Sequence, residues 1–157
     1  MTPRKSVAKP KPPAKQKAAT KTVAAKKPRV STHPAKARTR SSAALIKKLA
    51  KICLALPDAT EQEAWGEPTW RVRGKLFAQL DDHHHGSGHT SVWLPAPDGA
   101  QDALIDAEPE RFFRPPYVGG KGWIAIILDT KPDWNMVASL IATAHGLIAS
   151  GKPRAGR

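Results

Sequence analysis

The first forty residues, MTPRKSVAKPKPPAKQKAATKTVAAKKPRVSTHPAKARTR, contain thirteen Lys and Arg, six Pro and no acidic residue. No folded core can be built from such a stretch. It has no aromatic residue and few branched aliphatics, so it cannot bury enough apolar surface to offset the entropy of ordering it. Like charges and prolines favour an extended, disordered chain. The remainder, 41–157, carries thirteen Lys and Arg against thirteen Asp and Glu, so the whole formal net charge of +13 belongs to the tail. The expected organisation is a basic tail over 1–40, a folded domain over 41–150, and a frayed end over 151–157.

A polycation of this kind releases counterions from DNA or RNA, which gives sequence-independent and salt-sensitive binding. The candidate contacts are Lys9, Lys11, Lys15, Lys17, Lys21, Lys26, Lys27 and Arg29. If about six of them meet phosphates, affinity falls about a thousandfold between ~50 and ~200 mM salt. The composition resembles the basic tails of linker histones and of some bacterial nucleoid proteins. The bland alternative is a solubilising tail with no dedicated partner. The total absence of acids and the even spread of cations favour nucleic acid over it. With no RGG repeat and no interleaved aromatic, stacking on bases by the tail is not expected.

The chain has one cysteine, Cys53, so an intrachain disulfide and a paired-cysteine metal knuckle are both excluded. Its place in an apolar helical pattern reads as a buried, inert thiol. No apolar run approaches the ~18 residues needed to span a bilayer. The N-terminus lacks the apolar stretch of a secretory signal, and its prolines oppose the amphipathic helix of an organelle transit peptide. A cytoplasmic protein is the expectation, and association with the nucleoid is compatible with it.

Within the folded part, SSAALIKKLAKICLALPD predicts a helix capped by Ser41 or Ser42 and ended by Pro57. Leu45, Ile46, Leu49, Ile52 and Leu56 form its apolar side, and Lys47, Lys48 and Lys51 its wet side. A short strand is expected around 63–65, stopped by Gly66 and Pro68. TWRVRGKLFAQLDD predicts a hairpin turning at Gly74, with Trp70, Val72 and Phe77 on one face and Arg71 and Arg73 on the other. HTSVWL predicts a strand, QDALIDAEPERFF a helix broken at Pro109, and GWIAIILDT a central strand. TKPD reads as a capping box, with Thr130 as cap, before a last helix that buries Trp134, Val137 and Ile141. Strands framed by helices imply an α+β fold: a twisted antiparallel sheet with helices on one face.

From about Leu45 to Ile148 the chain resembles the MmcQ/YjbR family. The residues that carry this are LALPDATEQEAWGEPTWRVRGKLFAQLDD, then PERFFRPPYVGGKGWIAIILD, then the Asp-Trp that opens the last helix. The resemblance implies a fold similar to the frataxin homologue CyaY and a DNA-binding function, with a double-winged arrangement. Two departures stand out. Ala144 and His145 stand where family helices often carry Ser-Tyr, and the basic tail lies outside the family domain. Frataxin-type iron binding uses an acidic helix face, whereas the first helix here is basic on its wet side.

DDHHHGSGH, 81–89, is the most conspicuous local motif. Adjacent histidines in a strand alternate sides, so His83, His84 and His85 cannot meet one ion without a bend. Asp82, His84 and His89 could converge across a hairpin, but nothing in the spacing enforces it. A solvated hairpin loop is the preferred reading, ahead of weak metal binding and of a functional site. VGGKGW lacks the phosphate-loop signature and precedes a strand, so it reads as a turn, with Arg114 and Lys121 as isolated charges. No cofactor, metal or catalytic signature is legible. Glu61, Glu63 and Glu67 read as solvated carboxylates. The best specific surface is the hairpin trio Arg71, Arg73 and Lys75, which could lie along a duplex. Three functions remain. The chain could bind DNA, or RNA, mainly through phosphates. It could be a protein- or small-molecule-binding domain localised by its tail. It could be an enzyme using the histidine loop. A basic groove, a closed apolar pocket, or converging His and Asp would favour them respectively.

Overall fold

The computed structural model describes residues 40–84 and 87–151. The elements, in chain order, are α1 (Arg40–Leu54), β1 (Ala59–Ala64), β2 (Glu67–Val72), β3 (Lys75–Asp82), β4 (Thr90–Pro95), α2 (Ala100–Ala107), β5 (Phe112–Phe113), a 3-10 turn (Gly119–Lys121), β6 (Trp123–Ile127) and α3 (Trp134–Ala149). The strands form one antiparallel sheet in the order β1-β2-β3-β4-β6-β5. The α+β expectation holds, with more strands than the sequence suggested.

Two tight turns explain why the first half forms a meander. Trp65 and Gly66 sit at φ 55 and 79, and Arg73 and Gly74 at φ 51 and 76. Each pair adopts the left-handed, two-residue geometry whose twist matches the flanking strands. The first turn sets Ala64 opposite Glu67. The strand expected at 63–65 is therefore only the end of a longer one, and Pro68 does not stop it. Pro68 pairs with Glu63, outside the stretch that β3 covers, which begins at Thr69. Its missing N–H costs no ladder bond there.

In β3, Trp70 opposes Ala78 while Arg71 opposes Leu76, so Phe77 is the extra residue of a bulge. The bulge lets Phe77 and Ala78 both enter the main core. That core joins Leu49 and Cys53 of α1, Trp70 and Val72 of β2, Leu80, Val92, Ile124 and Ile126 of the central strands, and Val137, Ile141 and Ala144 of α3. Ala100, Leu104 and Ile105 of α2 pack on the same core. All three α-helices therefore cover one sheet face. The other face carries a smaller cluster of Trp93, Trp123 and Ala125, edged by Leu76, Phe113 and Val118.

Two further expectations need correction. The cap of α3 is Asp133, whose carboxylate accepts from the N–H groups of Asn135 and Met136 at 3.0 and 3.3 Å. Thr130 is too early, because Lys131 at φ 51 turns the chain between them. The helix expected over 101–113 with a break at Pro109 ends at Ala107, and Phe112–Phe113 pair with Ile126 and Ala125 as the edge strand β5. His145 and Ala144, the departures from the family helix, are buried. His145 Nε2 donates to the Pro57 carbonyl at 2.7 Å, and Phe77 meets its ring edge-on at 5.1 Å. That bond fixes the Nε2–H tautomer, since a carbonyl can only accept.

Candidate nucleic-acid interface

The tail candidates Lys9, Lys11, Lys15, Lys17, Lys21, Lys26, Lys27 and Arg29 lie outside the described residues. The chain enters the fold at Arg40, and its charge bias continues inward. The first acid of the sequence is Asp58, so α1 brings Lys47, Lys48 and Lys51 to the domain with no carboxylate among them. Lys47 and Lys51 are exposed. Lys48 Nζ stands 4.6 Å from the centroid of the Trp134 ring, a cation–π contact that ties α1 to the start of α3.

The hairpin trio does not form a shared face. Arg71 Nη1 folds back to the Gly74 carbonyl at 3.4 Å, and its Nε is buried without a hydrogen-bond partner. Arg73 occupies the turn, so strand alternation no longer governs it. Its Nη1 donates to the Ala149 carbonyl at 3.4 Å, at the C-terminal end of α3. A guanidinium there complements the negative end of the helix dipole. Lys75 is exposed and opposes Val72, which places it on the helix-covered side. The face expected opposite Trp70 thus receives only Arg71 of the three.

Helix direction separates this hairpin from the root of the tail. Lys48 meets Trp134 near the start of α3, and Pro57 meets His145 near its end, so α1 and α3 run parallel. Arg73 holds the end of α3 where α1 finishes. Arg40 lies at the other end of α1, a fifteen-residue helix, which is about 22 Å away along the axis. Arg40 and the hairpin therefore stand at opposite ends of α1.

The histidine loop is pinned at its base. His83 N donates to the His89 carbonyl at 3.1 Å. Thr90 Oγ1 donates to Asp82 at 2.8 Å, and His83 Nε2 stands 3.9 Å from the same carboxylate. His89 Nδ1 lies 3.2 Å from one oxygen of Asp129, and the other accepts from Thr90 N at 3.1 Å. Asp82 and His89 are thus engaged with different partners and do not converge. Ser87 Oγ donates to Asp81, not to an imidazole. Among the described residues, no group of three or more His, Cys, Asp and Glu is arranged to hold a metal ion; His85 lies outside them.

Arg114 Nη2 donates to Asp102 Oδ1 at 2.7 Å, with its stem laid across Gly119. Burial, and secondarily the Glu61 carboxylate, push the Cys53 thiol far above its ordinary range, which keeps it protonated and unreactive. Ile46, Glu61, Glu63 and Pro68 line an open cleft of about 210 Å³. That is below the usual size of a small-molecule pocket and is not apolar. One conspicuous residue went unread in the sequence. Tyr117 is 83% exposed at φ 65, in a γ-turn closed by Val118 N to Pro116 O at 2.7 Å. A tyrosine in that backbone region is strained, and only the run of prolines before it hints at the turn.

No helix among the described residues is long and apolar enough to cross a membrane. No match is found among the curated proteins. Among solved structures, the chain is similar to Deinococcus radiodurans protein DR2400, described as a DUF419 family-model domain. The two share 16% identity over 70% of this chain and 83% of that one, with a TM-score of 0.58. At that identity the likeness shows the fold alone. The YjbR family model matches residues 54–147. That span runs from the last residue of α1 through nearly all of α3, and the chain belongs to the YjbR family.

Proposed function

We propose that the protein binds DNA without sequence preference, through phosphate contacts made by the basic tail and continued onto the fold by α1. The observation that carries this reading is the run of sixteen Lys and Arg before the first acid, Asp58. Three of those cations, Lys47, Lys48 and Lys51, lie in the body of a helix that the core holds through Leu49 and Cys53. A flexible polycation supplies affinity by counterion release, and a fixed lysine pair, Lys47 and Lys51, gives the duplex a place to rest. Arg71, Arg73 and Lys75 stand too far from the tail's root to extend the same track. Arg71 keeps its Nε buried and turns Nη1 to the Gly74 carbonyl, so it presents little of its guanidinium to a phosphate.

The test is fluorescence anisotropy with two unrelated duplexes of equal length across a salt series. About six phosphate contacts predict a log–log slope near −5, the same for both sequences. A slope near zero, or strong preference for one duplex, would overturn the reading.

A further inference from the structure

We propose that the open edge of the sheet at β1 takes an extended basic peptide as an added strand. Among the described strands, β1 has one neighbour, β2. The two-residue turn fixes Ala64 opposite Glu67 as a hydrogen-bonded pair, so Gln62 and Thr60 bond inward in alternation. The backbone N–H and C=O groups of Glu61 and Glu63 then point away from the sheet. They form a short ladder ready to pair, the geometry used in strand addition.

The side chains decide what kind of strand fits. Glu61 and Glu63 share the helix-covered side, and Trp70 Nε1 steadies Glu61 by donating to Oε2 at 3.0 Å. Beside them runs the 210 Å³ cleft, walled by Ile46 of α1 and Pro68 of β2. An aliphatic stem ending in a cation matches that mixture: the stem lies on Ile46 and Pro68, and the charge reaches the carboxylates. Cations at alternate positions of an incoming strand would face both glutamates. A second copy of β1 is the poorer occupant. In an antiparallel edge pairing, opposed side chains share a face, so any two-fold register centred from 61 to 63 sets glutamate against glutamate. The same charges that guard the edge against self-association select a basic strand. Trp65, 56% exposed in the turn at the end of β1, extends the surface with an aromatic face.

This inference does not depend on nucleic-acid binding, and the probe contains none. A fluorescent short peptide alternating lysine and valine is titrated into the full chain, with amide exchange followed on the same sample. Saturable binding is expected, with exchange slowed at the amides of Glu61 and Glu63. E63K should weaken binding by about tenfold or more, because it reverses a charge facing the added strand. Q62K, on the opposite side of the same strand, should change it by less than about threefold. No saturable binding, unchanged exchange at both amides, or equal losses in the two variants would overturn the proposal.

Discussion

Helices α1 and α2 lie on the same face of one sheet, yet they are built in opposite ways. α1 buries Leu49 and Cys53 completely and shows Lys47, Lys48 and Lys51 to its surroundings. α2 has one buried residue, and it is polar: Gln101, whose Nε2 donates to the carbonyls of Gly119, at 2.7 Å, and of Trp123. Its surface charges are Asp102 and Asp106, followed by Glu108 and Glu110. Each arrangement suits its own helix dipole, with Lys51 in the last turn of α1 and Asp102 in the first turn of α2. Formal neutrality of the folded part therefore hides a separation of charge. α1 packs beside β1 to β3 and α2 beside β5, so the lysines stand toward one end of the sheet and the carboxylates toward the other, where Arg111 and Arg114 pair with Glu108 and Asp102.

The comparison can be broken first at its anchors. Leu49→Ala should cost about 2–5 kcal/mol, because α1 is held by apolar contact that the surrounding core cannot fully recover. Urea denaturation reads this directly, and a loss under about 1 kcal/mol would mean that α1 is not anchored by its apolar side. Gln101→Leu should cost about 1–2 kcal/mol even though it adds apolar bulk, since the Trp123 carbonyl loses its side-chain donor and the Gly119 carbonyl is left with the Gly122 N–H. A neutral result would show that α2 is not held by its polar clamp.

The third expectation concerns pH. Folding raises the Cys53 pKa above its ordinary 9.0, so the folded chain keeps a proton that the unfolded chain releases. Stability from this group is complete below the unfolded pKa and declines as pH rises past it. Between about pH 8 and about pH 10 the loss should be about 1.4 kcal/mol, and Cys53→Ala should remove that part of the slope. Identical pH profiles for the two proteins would contradict the buried thiol. The smallest effect concerns charge. Lys47→Glu with Lys51→Glu should weaken duplex binding about fivefold in low salt, while Asp98→Asn with Asp106→Asn should change it by less than about twofold. Equal effects from both pairs would erase the distinction between the two ends.

Much of this architecture was legible in residue patterns. The apolar stripe of α1, the alternation through Trp70 and Val72, the run WIAII and the spacing of Val137 and Ile141 each identify an element and its buried side. The failures have local causes. Trp65 is not a usual turn former, yet it takes φ 55 beside Gly66, and that hid the boundary between β1 and β2. Pro68 looked like a strand stop because its neighbour strand could not be known to begin at Thr69. The Thr130–Asp133 spacing fits a capping box, but Lys131 at φ 51 moves the cap to Asp133. The candidate surface was the least legible. Composition assigns the charge to the tail, and alternation groups Arg71 with Arg73. Only the parallel course of α1 and α3 shows that Arg40 and the hairpin stand at opposite ends of α1.

Every residue of the two hydrophobic clusters lies between Leu45 and Ala149, so residues 41–157 retain the whole core and can be compared with the full chain. The most direct measurement is a duplex-DNA titration of both at about 50 and about 200 mM salt. The account predicts that the full chain loses about a thousandfold in affinity between the two salts, and that 41–157 binds at least a hundredfold more weakly than the full chain at the lower one. If 41–157 binds within about threefold of the full chain, with the same salt dependence, the folded domain and not the tail is the DNA-binding element.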